Sequence, residues 1–279
     1  MWALITGASS GIGRDMSRYL YKLGYNLILV ARDENKMLEL KEELEKYDGS
    51  NEDIKETSTY QNSDYKTTKK MINVISADLG NKEECFKLYE KTKNLDIDIL
   101  VNNAGFGIFG EFSKTDLGTE INLINTNITA VHILTKLYLQ DMIKKNKGHI
   151  LNVASIAGME PGPLMAAYYA SKAYVIRLSR AINKELRKDK SNVKISILCP
   201  GPTNTNFNNV ANVVFKSPSM SSEKVAKYGI DKTLKGKLII IPGILNKSVR
   251  LFSKIIPDFI LETCAYHIQR RKRKIGEIN

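Results

Sequence analysis

The chain has 279 residues, of which 43% are hydrophobic and 26% are charged. This composition supports one large core and excludes a chain that is disordered throughout. Lysine and arginine number 42 against 30 aspartates and glutamates, and the resulting net charge of +12 permits anionic ligands without selecting one.

The cysteines, the N-terminal residues and the longest apolar run near the C-terminus predict no disulfide framework, zinc site, signal peptide or membrane span. Cys85, Cys199 and Cys264 lie far apart, which argues against a disulfide framework and favours a reducing, cytoplasmic location. No Cys/His cluster has zinc spacing, so no metal is expected. The first residues run into glycine without a basic region, unlike a signal peptide. The apolar run Leu238 to Ile241 is far shorter than the roughly 20 residues that span a bilayer.

Short apolar runs alternate with longer amphipathic stretches along the chain. The strands are predicted at Trp2–Thr6, Asn26–Ala31, Ile72–Ser76, Ile97–Val101, His149–Ala154, Val193–Cys199 and Lys237–Ile241. The helices are predicted at Gly11–Gly24, Asp33–Tyr47, Lys82–Lys93, Thr119–Lys145, Ala166–Lys188 and Ser221–Leu234. This alternation predicts an α/β fold with a doubly wound seven-stranded parallel sheet and helices on both faces.

Two stretches depart from the alternation of strands and helices. Residues 48–70 are polar and aperiodic where a connection of about 4–6 residues is usual, so they are interpreted as an inserted surface loop within one domain spanning residues 1–241. Residues 242–279 are interpreted as a C-terminal helical extension of the same domain that ends in a basic tail.

A glycine-rich turn follows the first strand. In the stretch from Thr6 to Gly13, Gly7 allows a sharp turn, Gly11 allows a pyrophosphate to approach, and Gly13 lets helix and strand pack closely. The helix N-terminus then favours the anion, so the pattern predicts a dinucleotide site.

The second strand ends in Ala31-Arg32-Asp33, where an acidic residue would accept from the ribose 2′-hydroxyl of NAD. A guanidinium pairs instead with a 2′-phosphate, with Arg14 and Lys36 as further cations nearby, so Arg32 favours NADP over NAD. Asp33 is interpreted as a helix cap.

Two further strand ends carry candidate cofactor contacts. Asp78 and Leu79 follow the third strand, and Asp78 is a candidate either for an adenine contact or for a helix cap. Asn102-Asn103-Ala104-Gly105 closes the fourth strand with small residues, at the sheet edge where ligands bind in such folds.

Tyr168 and Lys172 are four residues apart in a predicted helix, so they share one face. An ammonium beside a phenol lowers the pKa of the phenol and prepares it for proton transfer, so we expect that effect for Tyr168. Tyr169 has Ala173 four residues on and is expected to project from a different face.

Taken together, these motifs resemble the short-chain dehydrogenase/reductase family over residues 1 to about 241, from the glycine turn through Asn127, Ser155 and Tyr168-x-x-x-Lys172 to Pro200-Gly201. The resemblance implies hydride transfer between NADP(H) and a carbonyl or alcohol. Tyr168 would be the acid/base, Lys172 would bind ribose hydroxyls, Ser155 would hold the carbonyl oxygen, and Asn127 would hold a relay water. The implied cofactor contacts are Gly7, Ser9, Ser10, Gly11, Ile12, Gly13, Arg32, Asp78, Leu79, Asn103, Ala104, Gly105, Tyr168, Lys172, Pro200, Gly201, Thr203 and Thr205.

Apolar residues predominate in the segments that form substrate walls in this family, which predicts a hydrophobic carbonyl substrate. They are Phe106, Ile108, Phe109, Met159, Pro161, Leu164, Met165, Phe207, Val210, Val213, Val214 and Phe215. Asn204, Asn206, Asn208, Asn209 and Asn212 make another side of this region polar.

The C-terminal stretch fits two amphipathic helical pieces separated by Pro257, followed by the basic residues 270–274. It is open whether this stretch covers the substrate opening, packs on a partner subunit or contacts a membrane; a docked terminal helix with a solvated tail is favoured over membrane contact.

Partners follow from the same reading. The family resemblance implies a homodimer or homotetramer that uses the helices Thr119–Lys145 and Ala166–Lys188. No nucleic acid partner is expected, since no recognition motif accompanies the positive charge. The alternative is an NADP(H)-binding sensor, or a membrane-peripheral or nucleic-acid-binding module without turnover.

Overall fold

Hydrophobic runs form the strands, and each strand is followed by an amphipathic helix. We describe a computed structural model of the chain for residues 1–47, 70–205, 207, 219–244, 246–248 and 256–270. The strands are β1 Trp2–Thr6, β2 Asn26–Ala31, β3 Ile72–Ser76, β4 Ile97–Asn102, β5 His149–Val153, β6 Lys194–Leu198, β7 Thr203–Asn204, β8 Met220–Ser221 and β9 Ile239–Ile240. The helices are α1 Gly11–Lys22, α2 Glu34–Tyr47, α3 Lys82–Thr92, α4 Leu117–Ile124, α5 Val131–Lys145, α6 Ala166–Lys188, α7 Ser222–Leu234 and α8 Asp258–Arg270.

The main sheet confirms the predicted doubly wound α/β fold. Within the described residues it has seven strands in the order β3-β2-β1-β4-β5-β6-β9, and every neighbouring pair is parallel. The order reverses between β1 and β4, so a crevice opens at the carboxyl ends of these two strands, where ligands bind in such sheets.

The core lies in two layers, one on each face of the sheet. Alternate β1 side chains divide between them, since Ile5 packs with Met16 of α1 whereas Leu4 packs with Leu134 of α5. Burial on both faces explains why the strands are continuous apolar runs in the sequence.

A buried polar network joins the inner strands to the helices behind them. The Asn102 amide donates to Asn152 Oδ1 at 2.8 Å and to Thr135 Oγ1 at 3.0 Å, and the Asn152 amide donates to Ser179 Oγ at 2.9 Å. Because buried polar groups need partners, this network fixes β4 and β5 against α5 and α6.

The predicted helix Thr119–Lys145 is interrupted. Residues Asn125–Ala130 are π-helical and join α4 to α5. A π segment adds one residue to a turn, so side chains after it change face relative to those before it.

Parts of both irregular stretches lie outside the described residues, namely 48–69, 245, 249–255 and 271–279, which include most of the insertion and of the basic tail. The domain boundary at residue 241 stays a prediction. No helix among the described residues is both long and apolar enough to cross a membrane.

Candidate active site

The first strand, its glycine turn and the fourth strand are tied together at one point. The Thr6 hydroxyl donates to Val101 O at 3.2 Å and accepts from the main-chain N–H groups of Asn103, at 2.9 Å, and Ala104, at 3.0 Å. The Asn103 amide donates to Thr6 O at 3.0 Å. These bonds hold the two loops at the crevice in a fixed relation.

The glycine turn leaves no room for side chains. Gly7 and Gly11 have φ of +66° and +52°, a region that favours glycine. A Cβ on Gly13 would lie 2.3 Å from Gly7 O, so Gly13 permits the close approach of α1 to β1. Ser10 caps α1, and its side chain makes no hydrogen bond to the N-terminal N–H groups of this helix. That end suits a phosphate.

Charged groups follow β2. Arg32 is exposed and lines the cavity described below. Asp33 caps α2, since its Oδ1 accepts from Lys36 N at 3.1 Å, and its Oδ2 pairs with Lys36 Nζ at 2.8 Å. The Lys36 contacts lower the pKa of Asp33. Arg14, considered as a further cation, pairs with Glu43 at 3.2 Å instead.

Asp78 makes a local turn rather than a helix cap. Its Oδ1 accepts from Gly80 N at 3.0 Å, whereas Asn81 caps α3 by accepting from Glu83 N. Of the two roles considered for Asp78, capping is therefore wrong. Asp78 and Leu79 both line the cavity, which leaves the adenine contact as a prediction.

One cavity of about 620 Å³ joins these elements to the predicted reacting residues. It is lined by Gly7, Ser9, Ser10, Gly11, Ile12, Arg32, Asp78, Leu79, Asn103, Ala104, Gly105, Ser155, Tyr168, Lys172, Pro200, Gly201, Thr203 and Thr205, all expected from the sequence. Gly13 and Asn127 do not line it. Gly13 lies against Gly7 O, which confirms its packing role, and its expected cofactor contact stays a prediction.

Ser155 follows β5 and begins a short 3₁₀ helix, Ile156–Met159. Its Oγ accepts from Ala157 N at 3.1 Å and donates to Pro200 O at 3.4 Å, a long bond. A hydrogen bond with Ser155 also acts on the Tyr168 hydroxyl and lowers its pKa. The two hydroxyl groups therefore face the same point of the cavity.

The expected effect of Lys172 on Tyr168 is wrong for this structure. Burial is the largest influence on Tyr168 and raises the pKa of its phenol to about 12. Lys172 is 5% exposed; its Nζ donates to Val153 O at 3.0 Å and lies 5.8 Å from the centre of the Tyr168 ring. Burial also lowers the pKa of Lys172 to about 8. Sequence spacing places the pair on one face but carries no information on desolvation.

Asn127 is fully buried in the π segment, and its side chain is already used. Its Nδ2 donates to Phe106 O at 2.9 Å and to Ser171 Oγ at 3.0 Å, and its Oδ1 accepts from Phe106 N at 3.1 Å. The expectation that Asn127 holds a relay water stays a prediction. The side chain holds the loop after β4 against α6.

The substrate walls are only partly those predicted. Phe106, Met165 and Phe207 line the cavity, whereas Ile108, Phe109, Met159, Pro161 and Leu164 do not. The predictions for Val210, Val213, Val214 and Phe215, and for Asn206, Asn208, Asn209 and Asn212, concern positions outside the described residues. Asn204 lines the cavity.

Sequence reasoning missed a polar part of the wall. Tyr169 follows Tyr168 in α6 and also lines the cavity, with the two rings 6.2 Å apart, although no role there was expected from the sequence. Glu160 and, from α8, Ala265, Ile268 and Gln269 also line it. Helix α8 therefore covers part of the cavity, one of the roles left open for it. No sequence signal links Tyr169 to Gln269, which is 100 residues further on.

The fold and this site define a dinucleotide-binding α/β protein with a Ser-Tyr-Lys group at its sheet edge. The family model for short chain dehydrogenase matches residues 1–62 and 55–213. The chain belongs to the short-chain dehydrogenase family.

Individual relatives agree with this assignment. Over 201 residues the chain is 35% identical to 17-beta-hydroxysteroid dehydrogenase type 3 of Mus musculus, covering 71% of this chain and 59% of the relative. Over 190 residues it is 35% identical to very-long-chain 3-oxoacyl-CoA reductase-B of Danio rerio, covering 67% and 55%. The chain thus spans between half and three fifths of the length of these two relatives.

A solved structure extends the likeness to the whole fold. A short-chain dehydrogenase from Sphingobium yanoikuyae, in complex with NADPH, superimposes with a TM-score of 0.75 at 25% identity and covers 92% of this chain and 96% of its own.

Proposed function

We propose that this protein is an NADP(H)-dependent oxidoreductase that reduces a hydrophobic carbonyl compound. The observation that carries the proposal is one cavity that joins two groups of residues. At one end is the glycine turn at residues 7–13 with the N-terminus of α1, here called the phosphate cradle, and at the other are Ser155, Tyr168 and Lys172. The glycine turn fits a dinucleotide, because added Cβ atoms there would collide with protein atoms and the N-terminus of α1 has no side-chain cap.

The residues after β2 support NADP over NAD. Both oxygens of Asp33 are engaged by Lys36, so this carboxylate is poorly placed to accept from ribose hydroxyls. The Arg32 guanidinium lies exposed beside the cavity and is suited to pair with a 2′-phosphate. NADPH in the Sphingobium yanoikuyae structure is consistent with this choice.

A bound nicotinamide would supply the hydride. Lys172 would hold the ribose hydroxyls next to it, and Gly105, Pro200 and Gly201 would border the ring. Ser155 Oγ would donate a hydrogen bond to the substrate oxygen, because its 3.4 Å bond to Pro200 O is long enough to be exchanged. Charge that develops on that oxygen is thereby stabilised.

Tyr168 would deliver the proton. With its pKa raised to about 12, the phenol keeps its proton at neutral pH and is available as an acid to a developing alkoxide. A protonated phenol is the form that carbonyl reduction requires of this residue.

The substrate is proposed to be a bulky ketone or aldehyde. Phe106, Met165, Phe207 and Ile268 make the substrate end of the cavity apolar. Names of relatives point the same way, to a hydroxysteroid for the Mus musculus protein and to very long 3-oxoacyl chains for the Danio rerio protein.

The test is Tyr168→Phe, with NADPH consumption followed across ketones and aldehydes of graded size. Removing a general acid lowers turnover about 10²- to 10⁴-fold, while titration should show unchanged NADPH binding. Tyr174→Phe on the same helix is the matched control, since the Tyr174 hydroxyl bonds His132 and does not line the cavity. Equal rates in the wild type and Tyr168→Phe would refute the mechanism, and rates independent of substrate size would refute the apolar pocket.

We also propose a cytoplasmic homodimer or homotetramer. No disulfide joins Cys85, Cys199 and Cys264. Leu117 and Ile121 of α4 are 71% and 48% exposed, and subunit association would cover them. Light scattering after size-exclusion chromatography measures the subunit number, and a monomer at assay concentration would contradict this proposal.

A further inference from the structure

Gln269 is a buried polar side chain with an unused atom at the cavity wall. It is 2% exposed and lines the cavity from helix α8. Its Nε2 donates to the Tyr169 hydroxyl at 2.5 Å. Its Oε1 has no hydrogen-bond partner within the described part of the chain. A buried amide oxygen left unpaired costs free energy, so a ligand atom that donates to it is favoured.

Among the described residues, Tyr169 forms a hydrogen-bonded pair with Gln269 and has an unused donor, whereas Gln269 has an unused acceptor. Its oxygen accepts from Gln269, and within the described ranges no acceptor is found for its own proton. The pair thus has one acceptor and one donor at the cavity wall that no described residue uses. Rotating the Gln269 amide by 180° exchanges its donor and acceptor, and the pair still offers one of each.

The position of Tyr169 is fixed by packing. A Cβ on Gly162 would lie 2.1 Å from the Tyr169 ring, so the ring fills the space above this glycine. Tyr169 is adjacent in sequence to Tyr168, and their rings meet edge to face with centres 6.2 Å apart. The polar pair therefore lies on the cavity wall on the side of the Tyr168 ring.

Charge nearby narrows the ligand class. The Glu160 carboxyl lines the same cavity; burial is the largest cause of the raised pKa of Tyr169, and the charge of Glu160 raises it further. The charge that opposes a phenolate at Tyr169 also opposes a bound carboxylate or phosphate. A neutral group that both donates and accepts fits best, which means a hydroxyl or an amide.

We infer that Gln269 and Tyr169 form a specificity site that binds a hydroxyl or amide carried by the substrate away from its reacting carbonyl. This inference rests on the proposed function and adds a polar requirement to the apolar pocket. The reacting carbonyl oxygen is assigned to Ser155 and Tyr168, so the group that would bind Gln269 is a different part of the substrate and not the nucleotide.

The experiment compares two matched pairs of probes. One pair is a 17-oxosteroid with and without a 3-hydroxyl group; the other is a 3-oxoacyl thioester of N-acetylcysteamine, which has an amide, and the corresponding butyl thioester, which has none. In at least one pair, the wild type should favour the polar member by about tenfold or more in kcat/KM. The pair that shows the preference identifies the source of the polar group.

Gln269→Leu keeps the volume and removes both polar atoms, so it should abolish the preference while leaving the apolar member within about twofold. Tyr169→Phe should act in the same direction and serves if Gln269→Leu does not fold. Glu262→Leu, at an exposed position on the same helix, is the control for a changed surface. An unchanged preference in Gln269→Leu and Tyr169→Phe would overturn the inference while the proposed function stands.

Calorimetric binding of the same pairs separates the two claims. If no probe is reduced but binding favours the polar member and loses this preference in Gln269→Leu, the specificity site is supported and the proposed reaction is wrong. Equal binding of both members to the wild type, together with equal turnover, overturns the specificity site.

Discussion

Replacing Lys172 by methionine removes a buried amine from the cavity wall and keeps the length of the side chain. Burial lowers the pKa of Lys172 from 10.5 to about 8, which means that the fold holds a charge it would be more stable without. A difference of this size corresponds to about 3 kcal/mol of folding free energy at pH 7. Losing the hydrogen bond to Val153 O offsets about 1 kcal/mol of that. We therefore expect Lys172→Met to be about 2 kcal/mol more stable than the wild type at pH 7, although it should lose turnover.

The pH dependence separates this effect from packing. Between pH 8 and 10.5 the unfolded amine keeps its proton whereas the folded one loses it, so the folded state binds fewer protons and wild-type stability rises with pH through this window. At pH 9.5 the remaining cost is about 1 kcal/mol, so the advantage of the variant should shrink by about 2 kcal/mol and nearly vanish.

Urea unfolding at pH 7 and pH 9.5, without added nucleotide, measures both free energies. Lys136→Met, which removes an exposed amine from α5, corrects for the loss of one positive charge. A stability difference between Lys172→Met and the wild type that is the same at both pH values would refute the reasoning.

Three further changes test the cradle and its support. Arg32→Ala should weaken NADPH binding about 10- to 100-fold and leave NADH binding unchanged, as measured by titration of nucleotide fluorescence; equal losses for both would contradict a 2′-phosphate contact. Gly13→Ala places a Cβ 2.3 Å from Gly7 O, so thermal unfolding should show a loss of at least about 2 kcal/mol, and an unchanged melting temperature would contradict the packing argument. Asn127→Ala leaves both main-chain groups of Phe106 unpaired, which should cost about 2–4 kcal/mol in urea unfolding; a neutral result would mean that water replaces the amide.

The sequence predicts the framework well because its signals are local. The bounds of β1, β2, β3 and α6 agree with the prediction to the residue, since apolar runs and turn residues mark them. The lining of the cavity by the glycine turn also follows from local pattern, because a strand, glycines and a helix in succession allow few arrangements.

The features of the site that were not predicted from the sequence depend on tertiary structure. A π segment over Asn125–Ala130 has no signature distinct from that of a regular helix, and Asn127 takes its orientation from it. The pKa of Tyr168 is dominated by burial, which the i, i+4 spacing does not report. The contact between Tyr169 and Gln269 joins residues that only the folded chain brings together.

The cavity wall is built from separate segments of the chain, and this bears on how related proteins change their substrate selectivity. Nucleotide cradle and reacting hydroxyls both come from positions before 206, whereas Ala265, Ile268 and Gln269 come from the last described helix. Mutations in that helix can alter the molecule that is accepted and leave the chemistry performed on it intact. After gene duplication, substitutions confined to this helix can therefore change substrate selectivity. A library randomised only at residues 256–270 would test this directly.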